Sequence, residues 1–255
     1  MTKTIALAGK GGTGKTTLAA LLIHNLSQRV RGPLLAIDAD PATNLHMALG
    51  VSEPDTVGEI RETMSETAQA GQLGVSISRH DYLNREVRMA IEEGERVDLL
   101  AMGRPEGQGC YCAVNHLLRQ IVDDIGRTYE TIVIDNEAGM EHISRRTTRD
   151  VDLLLLVTDP TLRGVRTAGE MARLAETLEV NVKRMALIVN RVKGDLPQPL
   201  QDAIEGLNLE IAAIIPADEN INRLDALGMP LLQLNGNSPA AEAVNQLADR
   251  ILNEG

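Results

Sequence analysis

Residues 3–16 read Lys-Thr-Ile-Ala-Leu-Ala-Gly-Lys-Gly-Gly-Thr-Gly-Lys-Thr, and this stretch decides the fold. A short aliphatic run at 3–8 enters a glycine-rich loop, and an amphipathic pattern opens directly behind it. Leu18, Leu21, Leu22 and Leu26 recur at helical spacing. Residues 9–16 fit G-x-x-x-x-G-K-[ST] in full, between a strand and a helix, which is the context the pattern requires. Glycines let the backbone curl so that successive N–H groups point inward at phosphate oxygens. The positive end of the following helix adds to that field. Lys15 is placed to reach the β- and γ-phosphates, and Thr16 to ligate Mg²⁺.

Outward from this loop, short aliphatic runs alternate with amphipathic stretches. Strands are expected at 3–8, 34–38, 97–102, 131–135, 153–158, 185–190, 211–215 and 231–234. They are almost continuously apolar, as in strands covered on both faces. Further helices are expected at about 59–70, 84–94, 113–125, 165–179, 198–206, 219–227 and 239–253. The alternation implies an α/β fold: a doubly wound, mostly parallel sheet flanked by helices. Residues 1–255 read as one domain, with a less regular excursion at about 51–96 and a small strand at 74–78 within it.

The chain has 255 residues, 43% hydrophobic and 24% charged, enough for one sizeable core. Phe and Trp are absent, so Leu, Ile, Val, Ala and Met must fill that core. The formal charge of -11 and the three lone tyrosines argue against a nucleic-acid or anionic-lipid partner. No stretch has the length of a membrane span, and the apolar start is too short for a signal peptide. The expected setting is a reducing cytoplasm.

Asp38-Ala39-Asp40-Pro41 closes the second expected strand, and Ile132-Val133-Ile134-Asp135 is an apolar strand ending in a carboxylate. Carboxylates at the carboxyl edge of the sheet, beside the loop, are where Mg²⁺ and an attacking water are managed. Asp135 is expected to hold Mg²⁺. Guanine readers need N-K-x-D, and here the stretch is Asn190-Arg191-Val192-Lys193, which argues for adenine and therefore ATP.

The second lysine of the loop, Lys10, in Lys10-Gly11-Gly12-Thr13-Gly14-Lys15-Thr16, resembles the deviant Walker motif of the MinD, ParA and NifH group. The resemblance implies that Lys10 crosses a homodimer interface to the partner's nucleotide. It implies a nucleotide-binding set of Gly11, Gly12, Thr13, Gly14, Lys15, Thr16 and Thr17, with Lys10, Lys15 and Asp40 as the catalytic groups. Asp40 would position water and Asp38 would support the metal shell. Gly139, in Asn136-Glu137-Ala138-Gly139, would sense the γ-phosphate, while Asn190, Pro216 and Asp218 resemble that group's adenine contacts. The Asn136-Glu137 pair departs from the group's pattern. Glu141 and His142, just beyond, are candidates to carry the signal or touch a metal.

Cys110 and Cys112 are the only cysteines. At this spacing a disulfide is strained, and in a reducing compartment two thiols suggest metal chemistry. Two thiolates are half a tetrahedral site, and a symmetric dimer supplies the other half. Soft ligands suit Ni²⁺, Zn²⁺ or an iron–sulfur cluster; His116, a turn later, is an unneeded further ligand. Gly107-Gln108-Gly109-Cys110-Tyr111-Cys112, together with Asp38-Ala39-Asp40-Pro41 and Asp135-Asn136-Glu137-Ala138-Gly139-Met140-Glu141-His142, resembles the CooC-type accessory ATPases. These serve the maturation of carbon monoxide dehydrogenase and acetyl-CoA synthase. That resemblance implies an ATP-dependent nickel metallochaperone with one of those enzymes as client. A cell-organising ATPase and an ATP-dependent iron–sulfur reductase stay open as alternatives.

Overall fold

The computed structural model describes residues 2–69, 78–104, 120–138, 150–177, 181–234 and 238–253. Strand β1 (Lys3–Gly9) leads through the glycine loop into helix α1 (Lys15–Ser27). Then come β2 (Leu34–Ala39), a short α2 (Leu45–Leu49), α3 (Val57–Gln69), α4 (Arg79–Met89) and β3 (Val97–Ala101). Helical turns at 120–126 (α5) precede β4 (Thr131–Asn136). The second half runs β5 (Asp150–Val151), β6 (Leu153–Thr158), α6 (Leu162–Thr177), β7 (Asn181–Val182) and β8 (Met185–Val192). It continues through α7 (Gln198–Glu205), β9 (Glu210–Pro216), α8 (Glu219–Ala226) and α9 (Pro239–Asn253).

Seven strands form one sheet in the order β3-β2-β4-β1-β6-β8-β9, with every ladder parallel. From the central β1 the chain goes out to β2 and β3 and returns to β4 beside β1. It then crosses β1 to reach β6. That reversal places the carboxyl end of β1 in the crevice where such sheets bind ligands.

The period of two along each strand divides the core between the two faces. Ile5 and Leu7 pack with Leu18, Leu22 and Leu26 of α1 and Val244, Leu247 and Ile251 of α9. Ala6, Ala8, Leu154 and Leu156 face the other way, against Ile121 and Ile125 of α5 and Val165 and Met171 of α6. Both faces are covered, so both sets are apolar and no polar alternation survives in the sequence. Each fully buried Leu or Ile contributes about 1.5–3 kcal/mol.

Two expectations are corrected. Residues 231–234 are not a strand: Leu231–Gln233 form a 3-10 turn lying against α1 and α2. Proline at 230 precedes it, and the sheet already ends at β9. The helix expected at 84–94 starts earlier, because Ser78 caps it by accepting from Asp81 N–H at 3.1 Å, and it ends at Met89. Glu92 instead forms an isolated antiparallel bridge to Leu99. The strand expected at 74–78 lies outside the described residues except for this cap. The described part of 51–96 holds α3 and α4, and a two-stranded β5–β7 pairing went unforeseen. Among the described residues no helix is long and apolar enough to cross a membrane.

Candidate functional site

The loop between β1 and α1 is held from several sides. Gly12 and Gly14 take positive φ, 80° and 87°. A Cβ on Gly14 would lie 2.6 Å from the Asn190 amide nitrogen, so that position admits only glycine. Thr13 is buried, and its hydroxyl donates to the Lys10 carbonyl at 2.9 Å. The Lys15 ammonium is buried too and reaches that carbonyl at 3.4 Å, whereas Lys10 itself is exposed. Helix α1 has no side-chain cap and no acidic residue in its first turn. Its first N–H groups therefore face the loop without an anionic partner of their own, as an anion site requires.

Strand β8 supplies the clamp. Asn190 Nδ2 donates to the Thr13 carbonyl at 2.7 Å, and the Arg191 guanidinium donates to the Gly12 carbonyl at 2.9 Å. The β8–β9 register shifts between Val189 and Val192, and Arg191 sits at φ 60°. This irregularity turns Arg191 back toward the loop. Sequence reading missed its role, although Arg191 stands where N-K-x-D places a lysine.

Beside Lys15 lie the carboxylates. Asp38 and Asp135 are register partners on adjacent strands. Both are 1% exposed. Burial pushes the Asp135 carboxyl up to about 7, with Asp38 and Asp40 pushing the same way and the Thr16 hydroxyl and Lys15 opposing. Burial likewise raises Asp38 to about 6, against the backbone donors Leu45 and Asp40. The Thr16 hydroxyl is near enough to favour the charged form of Asp135, yet neither oxygen of Asp135 has a donor in hydrogen-bond geometry. Two orphaned, buried oxygens among further carboxylates and a hydroxyl form a hard-oxygen donor set suited to Mg²⁺. The sequence placed Thr16, Asp38, Asp40 and Asp135 together, and the structure brings them together.

Asp38 also shapes the turn that follows. Its Oδ1 accepts from Asp40 N–H at 3.0 Å and its Oδ2 from Leu45 N–H at 2.9 Å, while Asp40 Oδ1 accepts from Ala42 N–H at 2.9 Å. Beyond β4, Ala138 lies under the loop, 3.8 Å from a Cβ built on Gly11. Asn136 donates to the Leu7 carbonyl at 2.9 Å.

A small pocket lies behind the loop, lined by Gly14, Thr17, Asn190, Arg191, Pro216 and Asp218, among others. Of these, Asn190, Pro216 and Asp218 were expected at a base. The Asp218 carboxylate is already engaged, accepting from Asn220 N–H at 2.8 Å and the Ser238 hydroxyl at 2.6 Å. It joins α8 to the start of α9, and Ser238 had no signal in the sequence. A separate, open cleft is lined by Pro41, Thr43, Glu53, Asp55, Glu59 and Arg104.

Cys110, Cys112, His116, Gly139, Glu141 and His142 lie outside the described residues. Among the described residues no group of three or more His, Cys, Asp or Glu could hold a metal ion by itself, so Mg²⁺ at Asp135 would need further ligands from phosphate and water.

The geometry can be set against known proteins. The model of the CobQ/CobB/MinD/ParA nucleotide binding domain matches residues 4–231. The chain belongs to this family. Within the CobQ/CobB/MinD/ParA family, an uncharacterized ATP-binding protein of Methanocaldococcus jannaschii is 40% identical over 250 residues, 98% of each chain. The carbon monoxide dehydrogenase accessory protein CooC of Rhodospirillum rubrum is 31% identical over 242 residues, 91% of this chain and 90% of that one. The cell division ATPase MinD of Pyrococcus furiosus shares the fold with a TM-score of 0.71, at 24% identity over 100% of both chains. Membership makes the clamped loop a nucleotide-binding P-loop, and the parallel sheet expected from the sequence is the fold of MinD.

Proposed function

We propose that this chain is an ATP-driven metallochaperone that works as a homodimer and helps mature the metal cluster of a carbon monoxide dehydrogenase or acetyl-CoA synthase. The observation that carries this reading is the 31% identity to the carbon monoxide dehydrogenase accessory protein over 91% of the chain. The Cys110-Tyr111-Cys112 segment supplies the chemistry. In this reading residues 1–255 act as one ATPase domain of the cytoplasm.

Gly11 through Thr17 cradle the phosphates, with Lys15 neutralising charge from its buried position. Thr16, Asp38 and Asp135 would hold Mg²⁺, which would offset the charge that develops on the phosphates. Asp40 orients the attacking water. The water oxygen bonds to the γ-phosphorus, the bond to the bridging oxygen of ADP breaks, and the water's proton passes to solvent. Lys10, exposed at the loop mouth, reaches the partner's nucleotide. Gly139 follows the γ-phosphate, and Asn190, Pro216 and Asp218 form the adenine side. Dimer closure assembles the thiolates of Cys110 and Cys112 from both chains around Ni²⁺ or Zn²⁺ as cargo, and hydrolysis loosens that site.

A second reading, a spatial-organisation ATPase, is favoured by 28% identity over 98% of this chain to the septum site-determining protein MinD of Thermotoga maritima. Helix α9 speaks against a membrane anchor there. Its apolar residues Val244, Leu247 and Ile251 are spent in the core, and its surface carries Glu242 and Asp249.

The test is the double substitution Cys110→Ser with Cys112→Ser. Ni²⁺ or Zn²⁺ binding, measured by anaerobic calorimetry, should vanish while ATP affinity stays within about twofold. Metal binding that survives both substitutions would remove the metallochaperone reading.

A further inference from the structure

We propose that His46 is a positioning residue for Asp40: its ring clamps the turn that fixes where the Asp40 carboxylate stands. The proposal rests on the reading of Asp40 as the group that orients water.

The turn is unusual in its backbone. Asp40 C=O accepts from Thr43 N–H at 3.0 Å, closing a four-residue turn. Its last residue, Thr43, sits at φ 46°. A β-branched residue rarely enters that region, and it stays there only where its surroundings hold it. Helix α2 begins two residues later, and its N-cap, Asn44, makes no side-chain capping bond. The five residues of α2 therefore contribute little rigidity of their own.

Two side chains compensate. Asp38 accepts from Asp40 N–H and from Leu45 N–H, so it spans the turn from beneath. His46 closes it from the helix side, with Nδ1 at 2.6 Å from the Thr43 carbonyl. A carbonyl only accepts, so Nδ1 carries the hydrogen and the ring is the donor. Asp38 is also in the proposed Mg²⁺ shell. His46 is not among the residues assigned to nucleotide or metal, although its charge favours the ionised form of Asp38. It is the one side-chain hydrogen-bond donor to the strained Thr43 carbonyl among the described residues. Without it, Thr43 is free to relax toward negative φ, and Asp40, three residues back, turns with it.

The geometry dictates the test. Asparagine places its amide N–H near the position of histidine Nδ1, and glutamine near that of Nε2. ATP turnover is measured by phosphate release for wild type, His46→Ala, His46→Asn, His46→Gln and Asp40→Asn, with nucleotide affinity measured in parallel. His46→Ala should lower kcat by about tenfold to a hundredfold, up to the scale of a reacting group misplaced by about 1 Å, with KM and melting temperature nearly unchanged. His46→Asn should recover most of the rate and His46→Gln little of it. The proposal is overturned if His46→Ala turns over at the wild-type rate while Asp40→Asn is inactive, or if Gln restores activity as well as Asn. If Asp40→Asn is itself fully active, the reading of Asp40 fails and this proposal with it. A misfolded alanine variant leaves the Asn and Gln pair to decide.

Discussion

Replacing Asp135 by asparagine should stabilise the nucleotide-free protein and abolish its response to Mg²⁺. The carboxyl is 1% exposed, without a hydrogen-bond partner, and raised by burial from 3.8 to about 7. The folded protein therefore holds a proton that the unfolded chain releases on its way from about pH 4 to pH 7, and stability falls as pH rises through that window. Linkage puts the loss at about 4 kcal/mol by pH 8, more than half of which develops between pH 5 and pH 8. Asparagine removes the charge but buries an amide with unfilled bonds, which returns about 1–3 kcal/mol. The net expectation at pH 8 is a gain of about 2 kcal/mol, or roughly 4–8 °C in Tm for a chain of this size. At pH 5 the gain should shrink to nearly nothing. Thermal melts of both proteins across pH, with and without Mg-ATP, read this out. A variant that melts below wild type at pH 8, or gains stability equally at both pH values, would refute the reasoning.

Lys10→Ala should weaken ATP-dependent dimerisation, followed by sedimentation, at least tenfold more than ATP binding; equal losses would show that Lys10 serves its own chain's nucleotide. Gly14→Ala should abolish ATP binding in calorimetry, because the position lies at φ 87° and a Cβ there meets the Asn190 amide at 2.6 Å. Asp218→Ala strips the Ser238 hydroxyl and the Asn220 N–H of their acceptor. It should cost about 1–3 kcal/mol in denaturant melts, a larger effect than on ATP affinity if Asp218 is chiefly a brace.

The strand–loop–helix unit was legible because pattern and context coincide in residues 3–16, and the sheet because every buried strand is aliphatic. Legibility failed mostly where the stabilising contact lies far away in sequence. At 231–234 the one local sign against a strand is the proline at 230, and packing on the surface of α1 makes the segment a turn. The start of α4 was lost because Ser78, which caps it by accepting from Asp81 N–H, was read as the end of a strand. At the site, Asp38, Asp40 and Asp135 were visible as carboxylates closing apolar runs. Their burial and mutual repulsion follow only from the β2–β4 register. The clamp by Arg191 depends on a register shift that no periodicity records. Ser238 reaches Asp218 across 20 residues, a contact without any local signature.

The central claim is that nucleotide and cargo metal act on one dimer through the thiols of Cys110 and Cys112. Native mass spectrometry of anaerobic protein, titrated with Ni²⁺ or Zn²⁺ with and without ATP, tests it most directly. The account predicts one metal per two chains, with occupancy that changes when ATP is added. An ATP-bound dimer that takes up no metal would contradict it and leave an ATPase with another partner, and the mass of an iron–sulfur cluster would make the chain a reductase instead.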